Sequence, residues 1–186
     1  MTTPEGAAAG GPGQSNTAAG GPGQSNTAAA GPGQSGTVRR TTGRVLPVNP
    51  DGRVLLLHGW DPHRPDEPFW FTVGGATDDG ESLRDAAARE LREEAGITVD
   101  PARLGDPIAS HTIEFTWGGR WFVQQQTFFA VAVEAVEVSF DGQDDWERSS
   151  IDRHGWFSAS EVLADPDPVH PEIPALITAA VASVGR

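Results

Sequence analysis

The sequence predicts an α+β protein in which helices pack on a mixed β-sheet. Strand-like segments form two groups, separated by a single amphipathic helix and followed by helical segments at the end of the chain. The early strands follow one another without intervening helices, which argues against a doubly wound parallel sheet. Roughly 150 residues remain after an amino-terminal repeat, which is a usual size for one domain with one core.

The amino-terminal segment is a low-complexity repeat. Residues 10–39 read GGPGQSNTAA twice and then AGPGQSGTVR. Gly, Pro, Ser, Gln and Ala bury too little apolar surface to offset the entropy of ordering, and the copies lack the apolar ladder of a solenoid. We therefore predict a disordered tail over residues 1–36, with no chemistry of its own, and a folded domain over residues 37–186.

The first half of the domain reads as consecutive strands. β-branched and aliphatic residues at 45–48 and 53–58 flank the Asn-Pro-Asp-Gly turn at 49–52. The segment 61–68 is rich in proline and charge and is predicted to be a loop. Aromatic residues at 69–73 then predict a further short strand.

Residues 82–95 predict an amphipathic helix with clear boundaries. Ser82 is expected to cap it, with Asp85 completing a capping box, and Gly96 suits a left-handed carboxyl-terminal cap. Helical spacing predicts that one face is buried. That face consists of Leu83, Ala87 and Leu91.

The second half begins with a long predicted hairpin. Segments 108–117 and 120–133 alternate as strands, and Gly118-Gly119 between them suits a two-residue turn. An acidic loop is predicted next, and then a short strand and two helices. Their ranges are 141–149 for the loop, 155–157 for the strand, and 158–164 and 172–184 for the helices.

Composition excludes several classes of function. The formal net charge is −13, which argues against binding of long nucleic acid, and all thirteen basic residues are Arg, which suits bidentate contacts with phosphate. The absence of cysteine excludes disulfides and thiol chemistry. No stretch is apolar enough to span a membrane, and the amino terminus lacks the order of a signal peptide. We expect a cytoplasmic protein without a membrane partner.

Three carboxylates are predicted to share one face of the helix. Glu90, Glu93 and Glu94 are spaced by three and four residues, so they lie within one turn and repel one another. A hard cation such as Mg²⁺ removes this repulsion. Arg89 can orient a carboxylate, and the glycine pair before the helix lets backbone pass close to a metal or phosphate. Taken alone, acidic pairs usually form a solvated helix face.

The complete spacing resembles the box of the Nudix hydrolase family. Residues 75–97 match G-x5-E-x7-R-E-U-x-E-E-x-G-U, with U aliphatic, at every fixed position. The resemblance implies an α/β/α sandwich around a mixed sheet and an enzyme that cuts a diphosphate bond with Mg²⁺, for which Mn²⁺ can substitute. It extends more loosely over residues 42–180. Val73 departs from the family, in which many members have Pro before the two glycines.

The resemblance also assigns roles to particular residues. In the family, the residues matching Glu90, Glu93 and Glu94 are metal ligands, and the backbone carbonyl matching Gly74 often supplies another. Glu81 and Arg89 match residues that hold the loop and helix in place. The predicted catalytic and metal-binding set lists Glu90, Glu93, Glu94, Arg89, Gly74 and, from outside the box, Glu147.

Glu147 is our candidate for a base outside the box. A carboxylate has to take a proton from the water that attacks phosphorus, and family members differ in whether this base lies in the box or in a later loop. Asp144 and Asp145 are weaker candidates in the same acidic loop. The alternative for Glu147 is a solvated carboxylate without a role.

The substrate is narrowed only to a class. Trp117 and Trp121 flank the hairpin turn and can stack on a base, although core packing is the commoner role of Trp. Arg120 can contact phosphate, although a surface arginine without such a contact is commoner. We expect a small nucleoside diphosphate derivative. ADP-ribose-like compounds, nucleoside triphosphates and dinucleoside polyphosphates stay open, as does a homodimer. The alternative function is a non-catalytic module that senses a nucleotide.

Overall fold

The architecture is a mixed β-sheet with helices on both faces. The computed structural model describes residues 36–134 and 137–185, so nearly all of the predicted tail, residues 1–36, lies outside the described residues. The strands are β1 Val38–Val48, β2 Val54–Asp61, β3 Arg64–Phe71, β4 Val73–Ala76, β5 Ala109–Trp117, β6 Arg120–Ala132 and β7 Ile151–Phe157. The helices are α1 Leu83–Ala95, α2 Asp145–Ser150, α3 Ala159–Ala164 and α4 Ile173–Val184, with a 3₁₀ helix at Pro101–Leu104.

The seven strands form one sheet of mixed direction. Its main path runs β3-β2-β1-β6-β5, with β4 paired to β1 and β7 paired to β2. Strands β1 and β6 are parallel from Val38↔Phe122 to Val48↔Ala132, and the other pairs are antiparallel. The long connection between β1 and β6 contains α1, as parallel neighbours require. The predicted mixed sheet is confirmed.

Alternate residues of the central strands supply two separate cores. On one face, Val45 and Phe129 pack with Leu91 of α1. On the other face, Leu46 and Phe128 pack with Ile177 of α4. A helix thus covers each face of the sheet, which confirms the α/β/α sandwich. Within the described ranges, no helix has both the length and the apolar character needed to cross a bilayer.

The helix and hairpin boundaries follow the predicted signals. The Ser82 side chain accepts from the Asp85 N–H at 3.2 Å and also donates to the Asp85 carboxylate at 2.6 Å. Half of the capping box is therefore present, and the Asp85 side chain bonds the hydroxyl instead of the backbone. Gly96 is left-handed with φ 70°, as predicted. Gly118 and Gly119 have φ 54° and 72° and form the predicted two-residue turn.

The prediction of a loop at 61–68 is wrong for most of these residues, which belong to strands. Strand β3 begins at Arg64 and pairs with β2 from Leu57↔Phe71 to Asp61↔Arg64. Prolines usually argue against a strand because they donate no hydrogen bond to the ladder. Strand β3 is at the edge of the sheet, where one side needs no partner, so its prolines are tolerated.

The predicted acidic loop at 141–149 is also partly helical. Helix α2 occupies Asp145–Ser150. The Glu147 N–H donates to the Asp144 side chain at 2.7 Å, and the Asp144 N–H donates to the Glu147 side chain at 2.9 Å. This reciprocal arrangement has the form of a capping box, and it starts a helix in a segment that composition alone marks as loop.

Helix α1 lies unusually close to β1. A Cβ placed on Gly43 would stand 2.1 Å from the backbone oxygen of Leu83 and 3.0 Å from the nitrogen of Ala87. Both neighbours are helix backbone, which cannot rotate away as a side chain can. The absence of a side chain at Gly43 therefore fixes the distance between the helix and the sheet.

We predict that Gly43→Ala destabilises the fold by about 2 kcal/mol or more, because the helix backbone has to shift. Urea unfolding measures the change. The control is Gly80→Ala, where φ is +80° but no atom lies within 4 Å of the new Cβ, so only the backbone conformation costs about 1 kcal/mol. A Gly43→Ala protein no less stable than the control would contradict the packing argument.

Candidate active site

The site forms where helix α1 crosses strand β4. Gly75 lies against the carboxylate of Glu90, since a Cβ on Gly75 would stand 2.3 Å from Glu90 Oε1. Gly74 has φ 131°, and a Cβ there would stand 2.4 Å from the backbone oxygen of Gly43. Glycine is therefore required at both positions, because a neighbouring strand and a helix carboxylate come too close for a side chain.

Glu94 is buried at the centre of this contact. Its side chain accepts from the Gly74 N–H at 2.7 Å, and the residue is only 6% exposed. Burial raises the pKa of the Glu94 carboxyl well above its usual value, and the neighbouring Glu90 raises it further. The guanidinium of buried Arg44 and the Gly74 hydrogen bond act in the opposite direction.

Glu90 is buried one turn earlier on the same helix face. Burial raises the pKa of its carboxyl, while Arg89 opposes that shift. The guanidinium of Arg89 donates to Glu90 at 2.8 Å. Two carboxyl groups whose charged forms are disfavoured thus lie beside each other. The charged pair is destabilising unless a cation joins its members.

Arg89 connects the helix to the preceding loop. It forms a two-pronged pair with Glu81, with distances of 2.9 and 3.0 Å, and donates to the Ala76 backbone oxygen at 2.9 Å. Hydrogen bonding to Glu81 raises the pKa of Arg89, and the same contact lowers the pKa of Glu81. Arg89 therefore has a positioning role in the structure, holding β4, the loop and the helix together.

Glu93 is at the edge of the site. Its carboxylate accepts from Arg89 at 3.1 Å and from Arg92 at 2.8 Å. It is more exposed than Glu90 or Glu94, with a side chain that is 35% accessible. The helix places it on the predicted face, with its oxygens engaged by two guanidinium groups.

Glu147 joins the buried carboxylates from helix α2. Oxygen atoms of Glu90, Glu94 and Glu147 lie within 4.8 Å of one another. We call these three residues the carboxylate trio. Burial raises the pKa of Glu147, the Asp144 N–H opposes the shift, and Asp144 and Glu93 raise it by charge repulsion. The structure thus brings the residue chosen outside the box into contact range of the box.

The segment before α2 is tightly packed on the end of α1. The side chain of buried Gln143 donates to the Glu94 backbone oxygen at 3.3 Å. A Cβ on Gly142 would stand 2.8 Å from the backbone oxygen of Glu93. These contacts fix the approach of α2 and therefore place Glu147 relative to the helix carboxylates.

The donor set of the trio fits a hard divalent cation. All three groups offer carboxylate oxygen, and Mg²⁺ and Mn²⁺ prefer oxygen ligands. Burial and mutual repulsion favour the protonated carboxyls in the absence of a cation, so a bound cation would restore the charged forms. Of the other predicted ligands, Glu93 precedes Glu94 on the helix but is not part of the trio, and Gly74 contacts Glu94 through its N–H.

Of the three predicted substrate contacts, only Trp117 lines a cavity next to the carboxylate trio. Trp117 helps to line a cavity of about 20 Å³ beside Glu94 and Glu147, with room for about one water molecule. Trp121 is half-buried, and its ring N–H has no hydrogen-bond partner among the described residues. Arg120 is exposed at the hairpin turn. The whole lining of the small cavity beside Glu94 consists of Trp60, Phe71, Glu94, Trp117, Glu147, Ser150 and Ile151.

Three contributors were not identified from the sequence. Arg44 is buried next to Glu94, Gln143 supports the end of α1, and Trp60 lines the small cavity. A usable signal exists for Arg44, since a charged residue between Gly43 and the apolar run 45–46 predicts a buried partner. No local pattern distinguishes Gln143 or Trp60 from ordinary loop and strand residues.

Comparisons with known proteins agree on the family. The family model for the NUDIX domain matches residues 38–178. An RNA pyrophosphohydrolase of Caulobacter vibrioides is 34% identical over 127 residues, which cover 63% of this chain and 70% of that protein. The uncharacterized Nudix hydrolase YvcI of Bacillus subtilis is 36% identical over 90 residues, covering 43% of this chain and about half, 52%, of its own length.

Solved structures share the fold. The dihydroneopterin triphosphate pyrophosphohydrolase of Escherichia coli has a TM-score of 0.56 at 22% identity, covering 79% of this chain and 99% of that one. The MutT protein of Methanosarcina mazei also has a TM-score of 0.56, at 20% identity, covering 78% of this chain and 94% of that one. The family model, the box and the fold lead to one conclusion: the chain belongs to the NUDIX domain family of hydrolases.

Proposed function

We propose that residues 37–186 form a Mg²⁺-dependent pyrophosphohydrolase that cleaves a diphosphate bond in a small nucleoside diphosphate derivative. The observation that carries the proposal is the carboxylate trio, in which Glu90, Glu94 and Glu147 present oxygens within 4.8 Å of one another. A buried acidic cluster of this kind is unfavourable by itself and becomes favourable with a divalent cation.

Each residue of the site has a distinct proposed role. Glu90 and Glu94 would hold the cation, with Glu93 and the Gly74 carbonyl as further ligands. Arg89 orients Glu90 and Glu93 through its hydrogen bonds at 2.8 and 3.1 Å. When bound, Mg²⁺ would neutralise charge on the diphosphate and polarise phosphorus toward attack by water. Mn²⁺ offers the same preference for oxygen and would substitute.

Glu147 is proposed as the base that takes the proton of the attacking water. It is half-buried and enters from α2, on an element separate from the helix that carries the other ligands. Its raised pKa makes it a stronger proton acceptor than a solvated carboxylate. The reaction would yield two phosphate-bearing products.

The names of the relatives are consistent with phosphorylated nucleotide-like substrates. One is named an RNA pyrophosphohydrolase and another a dihydroneopterin triphosphate pyrophosphohydrolase. Neither name decides among ADP-ribose-like compounds, nucleoside triphosphates and dinucleoside polyphosphates for this chain. Trp117 is the best-placed of the predicted base-stacking residues, because its ring lines the cavity beside Glu94 and Glu147.

We predict Mg²⁺-dependent turnover of at least one compound in a panel of nucleoside di- and triphosphate derivatives, measured by release of phosphate or nucleoside monophosphate. Glu93→Gln and Glu94→Gln should each lower kcat about a hundredfold or more, because each removes a ligand charge. Glu67→Gln, at an exposed position of β3, is the matched control. Binding without turnover across the panel would favour the nucleotide-sensing module.

We predict that Glu147→Gln lowers kcat at least about a hundredfold, with a smaller effect on KM, because the amide cannot accept the proton of water. Activity of the unaltered enzyme should fall as the pH drops below the raised pKa of Glu147. Asp145→Asn, an exposed change in the same helix, is the control. Near-unaltered kcat in Glu147→Gln would remove the base assignment.

We predict that Glu94 makes the metal-free protein, kept in EDTA, less stable relative to a Glu94→Gln variant as the pH rises above about 4. A carboxyl whose native pKa is raised binds more protons in the native state than in the unfolded chain, so its contribution to stability falls as the pH rises and the proton leaves. Glu94→Gln should therefore raise the midpoint of thermal unfolding in EDTA at neutral pH, and Mg²⁺ should reverse the ranking. A metal-free Glu94→Gln protein less stable than the parent would contradict this prediction.

A further inference from the structure

The start of strand β7 is irregular where it follows helix α2. Strand β7 pairs with β2 in regular register as far as His58↔Arg153, and the next pair is Gly59↔Ile151. Asp152 is therefore an extra residue opposite the step from His58 to Gly59, which makes a β-bulge. Bulges are frequent next to active sites, where they redirect neighbouring side chains.

The bulge decides which face of the sheet Ile151 occupies. Successive side chains of a strand point to opposite faces, so one extra residue moves the next side chain to the other face. Phe157 packs with the core that α4 covers, whereas Ile151 belongs to the core that α1 covers. In a regular strand the two side chains would share a face, because an even number of residues separates them. The extra residue thus directs the end of α2 toward the side of the sheet that carries α1.

A buried histidine holds the extra residue in place. His58 is 1% exposed, and its Nδ1 lies 2.5 Å from Oδ1 of Asp152. An ionised carboxylate can only accept a hydrogen bond, so the ring N–H donates. Nε2 of His58 lies 3.2 Å from both the guanidinium of Arg153 and the carboxylate of Asp167, which is in the segment between α3 and α4. Of the two carboxylates on this imidazole, only Asp152 belongs to the bulge.

Helix α2 continues into the bulge without a connecting loop. It ends at Ser150, and β7 begins at Ile151. The backbone oxygen of Ser150 packs on β2, since a Cβ placed on Gly59 would stand 2.1 Å from it. Glu147 lies about one turn before this contact and lines the same small cavity as Ser150 and Ile151. The packing of Gln143 fixes the start of α2, and the bulge fixes the end of the helix that carries Glu147.

We propose that Asp152, held by His58, is a positioning residue that directs the Glu147 carboxylate toward Glu90 and Glu94. The inference rests on the proposed function, in which Glu147 takes the proton of the attacking water. Asp152 contacts neither the substrate nor the metal and acts through the end of α2. Displacement of a reacting group by about 1 Å can reduce a rate about a hundredfold, so the position of this helix end determines kcat. Without the hydrogen bond from His58, the bulge can move, and Glu147 moves with it.

Steady-state kinetics of the full chain with Mg²⁺, on a substrate that the nucleotide panel identifies, would separate positioning from general stability. Asp152→Ala should lower kcat about tenfold or more and change KM less than about twofold, because Glu147 is displaced while the metal ligands stay in place. Asp167→Ala is the matched control, since it removes a carboxylate from the same imidazole outside the bulge. It should keep kcat within about twofold of the parent. Equal losses of kcat in the two variants would overturn the proposal.

Two further variants test whether the effect passes through Glu147. Asp152→Asn keeps an oxygen that can accept from His58, so its kcat should stay within about threefold of the parent. In a Glu147→Gln background, Asp152→Ala should lower kcat less than about twofold further, because the group that it positions is already gone. Multiplied losses of kcat in the double variant, or a kcat of Asp152→Asn as low as that of Asp152→Ala, would contradict the positioning role.

Amide hydrogen exchange tests the end of α2 without catalysis. Exchange over residues 145–151, measured by mass spectrometry, should be about tenfold faster in Asp152→Ala than in the parent and change less than about twofold in Asp167→Ala. Unchanged exchange over this segment in Asp152→Ala would overturn the proposal whatever the kinetics. Faster exchange in Asp152→Ala alone, together with no turnover of any substrate by the parent, would support the bulge as the anchor of α2 and refute the proposed hydrolase function.

Discussion

Burial of two carboxylates against glycine backbone is the constraint on which the rest of the structure depends. Glu90 occupies the space that a side chain on Gly75 would take, and Glu94 receives the N–H of Gly74 at 2.7 Å. This contact is possible only because α1 comes within van der Waals distance of β1 at Gly43. The glycines, the helix position and the acidic cluster are therefore one structural feature, and a change to one alters the others.

Such an arrangement is costly without a cation, and the surrounding residues reduce the cost without removing it. Arg89 is shared by Glu81, Glu90 and Glu93, while Arg44 lies buried beside Glu94. The pKa values of Glu90 and Glu94 stay raised despite these neighbours. Residual repulsion of this kind is typical of functional sites, where stability is given up for a ligand.

Local patterns predicted the parts of the fold that depend on local physics. Cap residues, the two-glycine turn and the apolar stripe of α1 lie where the sequence places them. The errors at 61–68 and 141–149 have a different origin. An edge position in the sheet permits the prolines of β3, and reciprocal bonds between Asp144 and Glu147 start α2. Composition does not report on either, although the Asp-x-x-Glu spacing of α2 was readable as a cap.

The candidate site also has one part that local sequence patterns predicted and another part that depends on long-range packing. Glu90, Glu93 and Glu94 share a helix face because of their spacing, which the sequence states directly. The position of Glu147 depends on the packing of Gly142 and Gln143 against the end of α1, and Arg44 reaches Glu94 because β1 runs beside β4. These are long-range contacts, which the local patterns of a single sequence do not report.

The arginines beside the carboxylates are already bound to other groups, which limits their role in the proposed reaction. Arg89 is engaged by four carboxylates, and Arg44 is buried and donates to Thr72, so neither is free to meet a diphosphate. In the proposed reaction, charge at the scissile bond would then be neutralised by a divalent cation held by the carboxylates. The arginines beside the site would act by positioning those carboxylates.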